Sequence, residues 1–208
     1  MISYSDSSLE WVDSYEYLGV IVTKSKSFTK YLKLVCQKAG ISQTVLDVHT
    51  SKHSSVSINH IFELFDMLIK PILTYGCEIW GIGNYTDIEL FHLKFIKKTL
   101  HVKGSTNRCM LYAETGRFPL SVDINIRIIK YWLKILDSDP NSYMCIVYKE
   151  MLNLQNNEWI KHVKQLLRSS GFGYAWESQC VDDTKSFIKL FEQRCKDTEI
   201  VIYKILIE

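Results

Sequence analysis

The stretch that most constrains this fold is EYLGVIVTKSKSFTKYLKLVCQKA, at residues 16–39. It begins with a β-branched run at positions 20–22, which favours a buried strand, and after Ser25 its apolar residues recur at helical spacing. This run and the segment LEWV at residues 9–12 flank DSY, a pattern that predicts two strands joined by a turn. An isolated hairpin is marginally stable in water, so we expect residues 17–22 to form at most a short hairpin that rests on helices.

Three helical patterns follow the predicted hairpin. The first carries one apolar stripe and is predicted to end near Gly40, followed by a polar connection. The second is predicted to begin at the N-cap Ser57, is apolar nearly all round, and contains Pro71, which should kink or break it. The third runs from about residue 86 to residue 101. Helices of this length predict a compact bundle over residues 25–102.

The remainder of the chain also has helical periodicity. Its last stretch, Asp183 to Glu208, is predicted to be mostly helical, although EIVIYKILIE is also compatible with a strand. The predicted fold class is therefore mainly α, with a short N-terminal β-hairpin, a three-helix bundle and further helices. The corresponding segments are residues 1–24, residues 25–102 and residues 103–208.

Composition excludes several function classes. The 25 Lys and Arg residues nearly balance the 23 Asp and Glu residues, so the net charge of +2 does not indicate a nucleic-acid-binding or membrane-binding chain as a whole. Six cysteines lie far apart, without the spacing of a zinc site, and are predicted to be reduced thiols. The polar N-terminus does not resemble a signal peptide, and no apolar run approaches the roughly 18 residues of a membrane span. We therefore expect an intracellular protein of the cytoplasm or nucleus.

Candidate catalytic and metal-binding motifs are weak. The pair Asp182 and Asp183, in CVDDT, has the composition of a two-metal nucleotidyl-transfer site, but its flanks predict the start of a helix with one of these aspartates as the cap. His49, His53 and His60 have no acidic or cysteine partner at ligand spacing and are interpreted as solvated. The sequence therefore predicts no catalytic residue, no metal site and no cofactor.

The remaining signal is electrostatic. Basic residues recur at helical spacing in three places, and such a stripe is either a solvated helix face or a surface that contacts phosphates without reading sequence. The residues alone leave both interpretations open. The three sets are Lys24, Lys26, Lys30 and Lys33; Lys94, Lys97 and Lys98, followed by His101 and Lys103; and Arg127, Lys130 and Lys134.

Several blocks, in order, resemble the reverse transcriptase polyproteins of non-LTR (LINE-type) retrotransposons. EYLGVIVTKSKSF resembles the segment that closes the palm of these enzymes and leads into the thumb, and ELFDMLIKPILTYGCEIWG resembles their thumb-helix block. IELFHLKFIKKTLHVKGSTN, LYAETGRFPLSVDINIRIIKYW and LLRSSGFGYAW resemble the segments that follow. The resemblance covers roughly residues 9–195.

This resemblance implies a thumb-like bundle over residues 25–102 and a post-thumb region after it. A thumb lays one helical face against the template-primer duplex, which makes Lys24, Lys26, Lys30 and Lys33 the first choice for that face and Lys94, Lys97 and Lys98 the second. The catalytic aspartates of the family lie N-terminal to the YLG block, so the chain is expected to lack the catalytic palm. CVDDT lies after the thumb and does not match the catalytic hairpin by order.

The resulting interpretation is a truncated or remnant RNA-directed DNA polymerase whose thumb region contributes to template-primer binding. By itself this chain is expected not to be an enzyme, because two-metal nucleotidyl transfer needs the palm carboxylates. Its expected partner is an RNA/DNA template-primer duplex, with no membrane and no small-molecule substrate. The alternative is a non-catalytic helical module that binds nucleic acid or another protein.

Overall fold

A computed structural model describes residues 3–4, 7–8, 11–52, 56–154 and 156–207 of the chain. Predictions that involve Leu9, Glu10, His53 or Glu208 fall outside these residues. The strands are β1 (Ser3–Tyr4), β2 (Ser7–Ser8), β3 (Ser14–Tyr17) and β4 (Val20–Thr23). The helices are α1 (Thr29–Lys52), α2 (Ile58–Leu64), α3 (Lys70–Leu73), α4 (Cys77–Trp80), α5 (Thr86–Thr99), α6 (Arg108–Thr115), α7 (Leu120–Leu136), α8 (Tyr143–Asn153), α9 (Glu158–Ser169), α10 (Gly173–Ser178) and α11 (Thr184–Ile207).

The expected hairpin is present, but its turn lies further along the chain than predicted. β3 and β4 pair antiparallel, with Tyr17 opposite Val20, so the turn is Leu18-Gly19 rather than DSY. Both turn residues have positive φ, 48° and 80°, which suits the two-residue turns that match strand twist. Val20 is buried, while Tyr17 is exposed. The hairpin therefore rests on the helices, as expected, through Val20 and the partly buried Ile21 of β4.

The first helix is longer than predicted. α1 continues through Gly40 to Lys52, where the sequence predicted an end near Gly40 and a polar connection. Gly40 lowers helix propensity by about 1 kcal/mol, but tertiary contacts beyond it outweigh this cost. Leu46 is buried, and Asp47 forms a 2.6 Å ion pair with Lys98 of α5. The prediction failed because these contacts cannot be read from local sequence.

The second predicted helix begins and changes geometry near the expected places. The Ser57 side chain accepts a hydrogen bond from the His60 backbone N–H, which confirms the N-cap. Between α2 and α3, residues Phe65–Ile69 form a π-helical segment, and Pro71 lies in the first turn of α3. A proline lacks the N–H and crowds the preceding turn, and just before Pro71 the Lys70 N–H bonds the Phe65 carbonyl, the i→i−5 pattern of a π-helix.

α1, the α2–α3 helix and α5 pack against one another as a three-helix bundle. Phe95 of α5 stacks on Phe65 at 4.3 Å between ring centroids and meets the edge of Phe62. The Tyr31 hydroxyl near the start of α1 donates to the Tyr75 carbonyl just after α3, so α3 runs towards the start of α1.

α7 lies among the remaining helices and contacts α4, α5, α8, α9 and α11. Its Trp132 is fully buried and donates from Nε1 to the Tyr148 hydroxyl of α8 at 2.9 Å. α11 is helical to Ile207, so the strand alternative for this stretch is wrong. The mainly α fold with a short N-terminal hairpin is confirmed, whereas the division into three segments stays a prediction.

Candidate nucleic-acid interface

Tyr75 holds the hairpin, the start of α1 and α4 together. Its backbone carbonyl accepts two hydrogen bonds, from the Tyr31 hydroxyl at 2.9 Å and from Trp80 Nε1 at 2.7 Å. Its own hydroxyl donates to the Leu18 carbonyl in the hairpin turn at 2.8 Å. The position of the basic segment that joins β4 to α1 is therefore fixed on both sides by one residue.

The glycines of the run YGCEIWG allow close packing at the same place. Gly76 has φ +66°, and an added Cβ would lie 3.0 Å from Val20 of the hairpin. At Gly81 an added Cβ would lie 2.5 Å from both the Cys77 carbonyl oxygen and the Ile124 side chain of α7. A glycine is thus needed at Gly81 for α4 to approach α7.

The first lysine set is exposed. Lys24, Lys26, Lys30 and Lys33 all have solvent-exposed side chains, while Tyr31, Leu32 and Val35 of α1 point into the core. Residues 17–46 contain five lysines and no Asp or Glu. Over the first turns of α1 the buried face is therefore apolar and the exposed face carries lysines.

The second lysine set is partly engaged within the fold. The Lys98 amino group pairs with Asp47 of α1 at 2.6 Å, and Lys97 donates to the Gly104 carbonyl. Lys94 is exposed, and its charge lowers the pKa of the Cys36 thiol on α1. Burial and the charge of Asp87 act in the other direction, and burial is the main cause of the raised pKa of this thiol.

The two lysine sets lie towards different parts of α1. Lys98 of α5 pairs with Asp47, which lies about 25 Å further along the axis of α1 than Lys30, given a rise of 1.5 Å per residue. Lys94 precedes Lys98 by about one helical turn of α5. In the third set, Lys130 and Lys134 are exposed on α7, whereas Arg127 is half-buried beside the hairpin.

A large open groove adjoins the first lysine set. Its volume is about 1330 Å³, and it lies between the start of α1, α4 and the pair α8 and α9, with Lys26 at its border. Exposed apolar side chains line it: Ile79, Tyr143, Val147 and Leu154. Glu78 and Glu158 also line it, so the groove itself is not cationic.

The structure separates the candidate metal ligands. Asp183 caps α11, because its Oδ1 accepts from the Ser186 backbone N–H at 3.0 Å, and hydrogen bonding to Ser186 lowers its pKa. His49 is exposed on α1, and His60 pairs with Glu63 at 3.3 Å. Within the described ranges, which leave out His53, no group of three or more His, Cys, Asp or Glu side chains has the arrangement of a metal site.

Sequence reasoning missed the role of Tyr75 and found the lysines without their surroundings. The density of glycine and aromatic residues in YGCEIWG was the signal available for a close-packed junction. No local pattern distinguished exposed Lys30 from paired Lys98, because the partner of Lys98 is Asp47, which lies 51 residues away in the chain.

Comparison with known proteins gives one distant similarity. Over 147 residues the chain is 21% identical to the RNA-directed DNA polymerase from the mobile element jockey of Drosophila funebris. The aligned region covers 68% of this chain and 16% of that protein, so the chain spans only a small part of its relative. The chain is thus distantly similar to a reverse transcriptase.

No family model matches the chain, and no solved structure matches it. Among the helices that the structure describes, none combines the length and apolarity needed to cross a membrane.

Proposed function

We propose that this chain is the thumb and post-thumb part of a non-LTR retrotransposon reverse transcriptase and contributes to template-primer binding. The observation that carries the proposal is the exposed set Lys24, Lys26, Lys30 and Lys33, on a segment held rigidly through Tyr75. The distant similarity to a mobile-element polymerase supports it.

The chemistry of this surface suits a phosphate backbone. Lysine is a flexible point charge that neutralises phosphates without distinguishing bases. A stretch of 30 residues without an acidic side chain keeps local repulsion of a polyanion low, even though the whole chain is nearly neutral. Lys94, Lys97 and Lys98 on α5 form the second part of the proposed surface.

A salt titration tests the binding. Fluorescence anisotropy of a labelled RNA/DNA hybrid should give a dissociation constant of roughly 1 to 100 μM at physiological salt, typical of sequence-independent binding. The affinity should fall steeply as salt rises, because bound counterions are released from the phosphates. Replacing Lys26, Lys30 and Lys33 together by Gln should reduce the slope of log affinity against log salt by about 1 per lysine.

The matched control replaces three exposed lysines elsewhere, Lys149 on α8 and Lys185 and Lys189 on α11, by Gln. This variant has the same net charge as the α1 triple variant, so any effect of total charge is equal in the two. Equal slopes for the two variants, or no binding at low salt, would refute the proposed surface.

We also propose that this chain alone does not extend a primer. Two-metal nucleotidyl transfer requires convergent carboxylates, whereas Asp182 and Asp183 stand at the start of α11, with Asp183 engaged as its cap. Incubation of purified chain with a primed RNA template, deoxynucleotides and Mg²⁺ or Mn²⁺ should yield no extended product. Extension that co-purifies with the chain and disappears when Asp182 and Asp183 are replaced by Asn would overturn this.

The apolar groove supports a second candidate function, a protein-interaction module. Tyr143 is 87% exposed and Leu154 is 61% exposed, and exposed apolar clusters of this kind mark interaction surfaces. A partner of fixed stoichiometry, lost in Tyr143→Ser and Val147→Ser, together with no affinity for the hybrid at low salt, would favour this function over the first.

A further inference from the structure

A polar cavity on another side of the molecule has the features of a ligand site. It has a volume of about 310 Å³ and lies between the π-helical segment, α5, the start of α7 and α11. Its charged lining consists of three cations and three carboxylates: Lys70, Arg117, Lys196, Asp66, Asp123 and Glu192. None of these residues belongs to the proposed duplex-binding surface.

The ring nitrogens of His92, which lines this cavity, are available for hydrogen bonds to a ligand. The side chain is 1% exposed, lines the cavity, and stacks on Phe65 at 5.2 Å. Neither of its ring nitrogens has a hydrogen-bond partner within the described residues. A neutral imidazole offers one donor and one acceptor, and leaving both unused in a buried place is costly.

Arg117 adds a further free donor beside His92. Its two terminal nitrogens donate to the two carboxylate oxygens of Asp66, at 3.0 and 2.5 Å, and the guanidinium lies over Phe62 and Phe65. Its Nε is buried and has no partner among the described residues. The guanidinium is therefore fixed in orientation while one N–H remains available.

Two of the cations are clearly less exposed than the carboxylates. The side chains of Arg117 and Lys70 are 13 and 26% exposed, whereas Lys196, at 35%, is about as exposed as the three carboxylates, at 38 or 39%. Lys70 bonds Asp123 at 2.6 Å and lies 3.8 Å from Asp66, and Lys196 bonds Glu192 at 2.6 Å, which leaves one or more further N–H groups on each ammonium. Donors thus outnumber acceptors towards the interior, the arrangement that an oxyanion requires.

We propose that this cavity binds a small phosphate-type oxyanion, held by Arg117 Nε, the Lys70 and Lys196 ammonium groups and a ring N–H of His92. The rim carboxylates keep the empty cavity neutral and make the binding weak. The phosphate group is either a free ion or the terminal phosphate of a nucleic acid strand, and both sources present the same oxygens.

Binding of inorganic phosphate to the full chain tests the site. Isothermal titration calorimetry at fixed ionic strength should show saturable binding of sodium phosphate but not of sodium chloride. Lys196→Gln should raise the dissociation constant roughly tenfold, the loss expected for one charge-assisted hydrogen bond. Glu192→Gln should lower the dissociation constant, because it removes a competing negative charge and frees Lys196.

Three controls distinguish binding in this cavity from nonspecific attraction of phosphate to surface lysines. Lys189→Gln, on an exposed position of the same helix α11, should leave phosphate binding unchanged. The triple variant of Lys26, Lys30 and Lys33 should also leave it unchanged, so failure here is distinct from failure of duplex binding. Competition by a 5′-phosphorylated dinucleotide, but not by its unphosphorylated form, identifies a strand terminus as a source.

Three results would overturn the proposal. The first is phosphate binding that does not saturate, and the second is equal weakening in Lys189→Gln and Lys196→Gln. The third is weaker binding in Glu192→Gln, since a site for a cation or for water alone would not gain from loss of that carboxylate.

Discussion

The helices α1 and α7 place similar residues in different environments. Both carry regular apolar positions and several basic residues, but α1 is covered on one side by α3, α5 and β4, whereas α7 is surrounded by five helices. α1 leaves Ile41, Val45 and Val48 exposed, while Ile124, Ile128 and Trp132 of α7 are fully buried. The neighbours of a helix, rather than its own residues, decide how much of it faces water.

This difference also separates two kinds of basic residue. Lysines at the start of α1 are exposed, whereas Lys70, near the start of α7, is held by Asp123 of α7. Exposed cations are available to a polyanion, and paired ones contribute to a defined cavity. The same residue type thus faces solvent in one region and lines a cavity in ion pairs in the other.

The largest effect on stability is expected for a substitution in the core around α7. Trp132→Ala should lower the free energy of unfolding by about 3–5 kcal/mol, because it removes a fully buried indole and its hydrogen bond to Tyr148. On α1, Ile41→Ala, at a 68% exposed position, should change it by less than about 0.5 kcal/mol. Urea unfolding followed by circular dichroism measures both, and similar losses would contradict the contrast between the helices.

Two glycine substitutions should change the stability of the fold in opposite directions. Gly81→Ala should lower the free energy of unfolding by about 1–3 kcal/mol, because its Cβ would overlap Cys77 and Ile124 at the α4–α7 contact. Gly40→Ala, inside α1 with open space around it, should stabilise by about 0.5–1 kcal/mol. Thermal unfolding of the two variants gives the signs directly, and a destabilised Gly40→Ala would show that α1 is not a regular helix at that position.

Acid should weaken the α5–α7 region through His92. Burial, with the charges of Arg117 and Lys70, lowers the pKa of His92 to about 3, so the unfolded state binds more protons between pH 6.5 and pH 3. The contribution of the neutral, buried His92 to the free energy of unfolding is therefore fully present above pH 6.5 and is lost as the pH falls towards 3. Between pH 7 and pH 5.5 the loss should be about 1 kcal/mol.

The His92→Asn variant should lack this component of the pH dependence. His49→Asn, an exposed position on α1, is the matched control and should keep it. Urea unfolding at the two pH values compares them, and an unchanged pH dependence in His92→Asn would exclude His92 as its source.

The smallest effect on stability is expected at the lysines of α1. Lys30→Gln with Lys33→Gln should change the free energy of unfolding by less than about 0.5 kcal/mol, as for exposed side chains without a structural partner role. Lys98→Gln should cost up to about 1 kcal/mol through its exposed ion pair with Asp47. A large loss in the first variant would mean that these lysines stabilise the fold rather than stand ready for a ligand.

Local patterns predicted much of this structure. The predicted caps Ser57 and Asp183 each accept the expected backbone N–H, because capping depends on residues three positions apart or fewer. The hairpin turn was misplaced because Leu18-Gly19 lacks the usual Asn-Gly signal, and α1 was ended too early because Gly40 is a common stop.

By itself the sequence determined the mainly helical class, the N-cap at which α2 begins and the position of the lysines at helical spacing, since these follow from periodicity and local propensity. Tertiary structure alone decided that Tyr75 anchors the hairpin to α1, that Lys98 is paired while Lys30 is exposed, and that His92 meets the ion-paired cations Arg117, Lys70 and Lys196 in one cavity. These contacts join residues far apart in the chain, and only the packing of helices brings them within reach of one another.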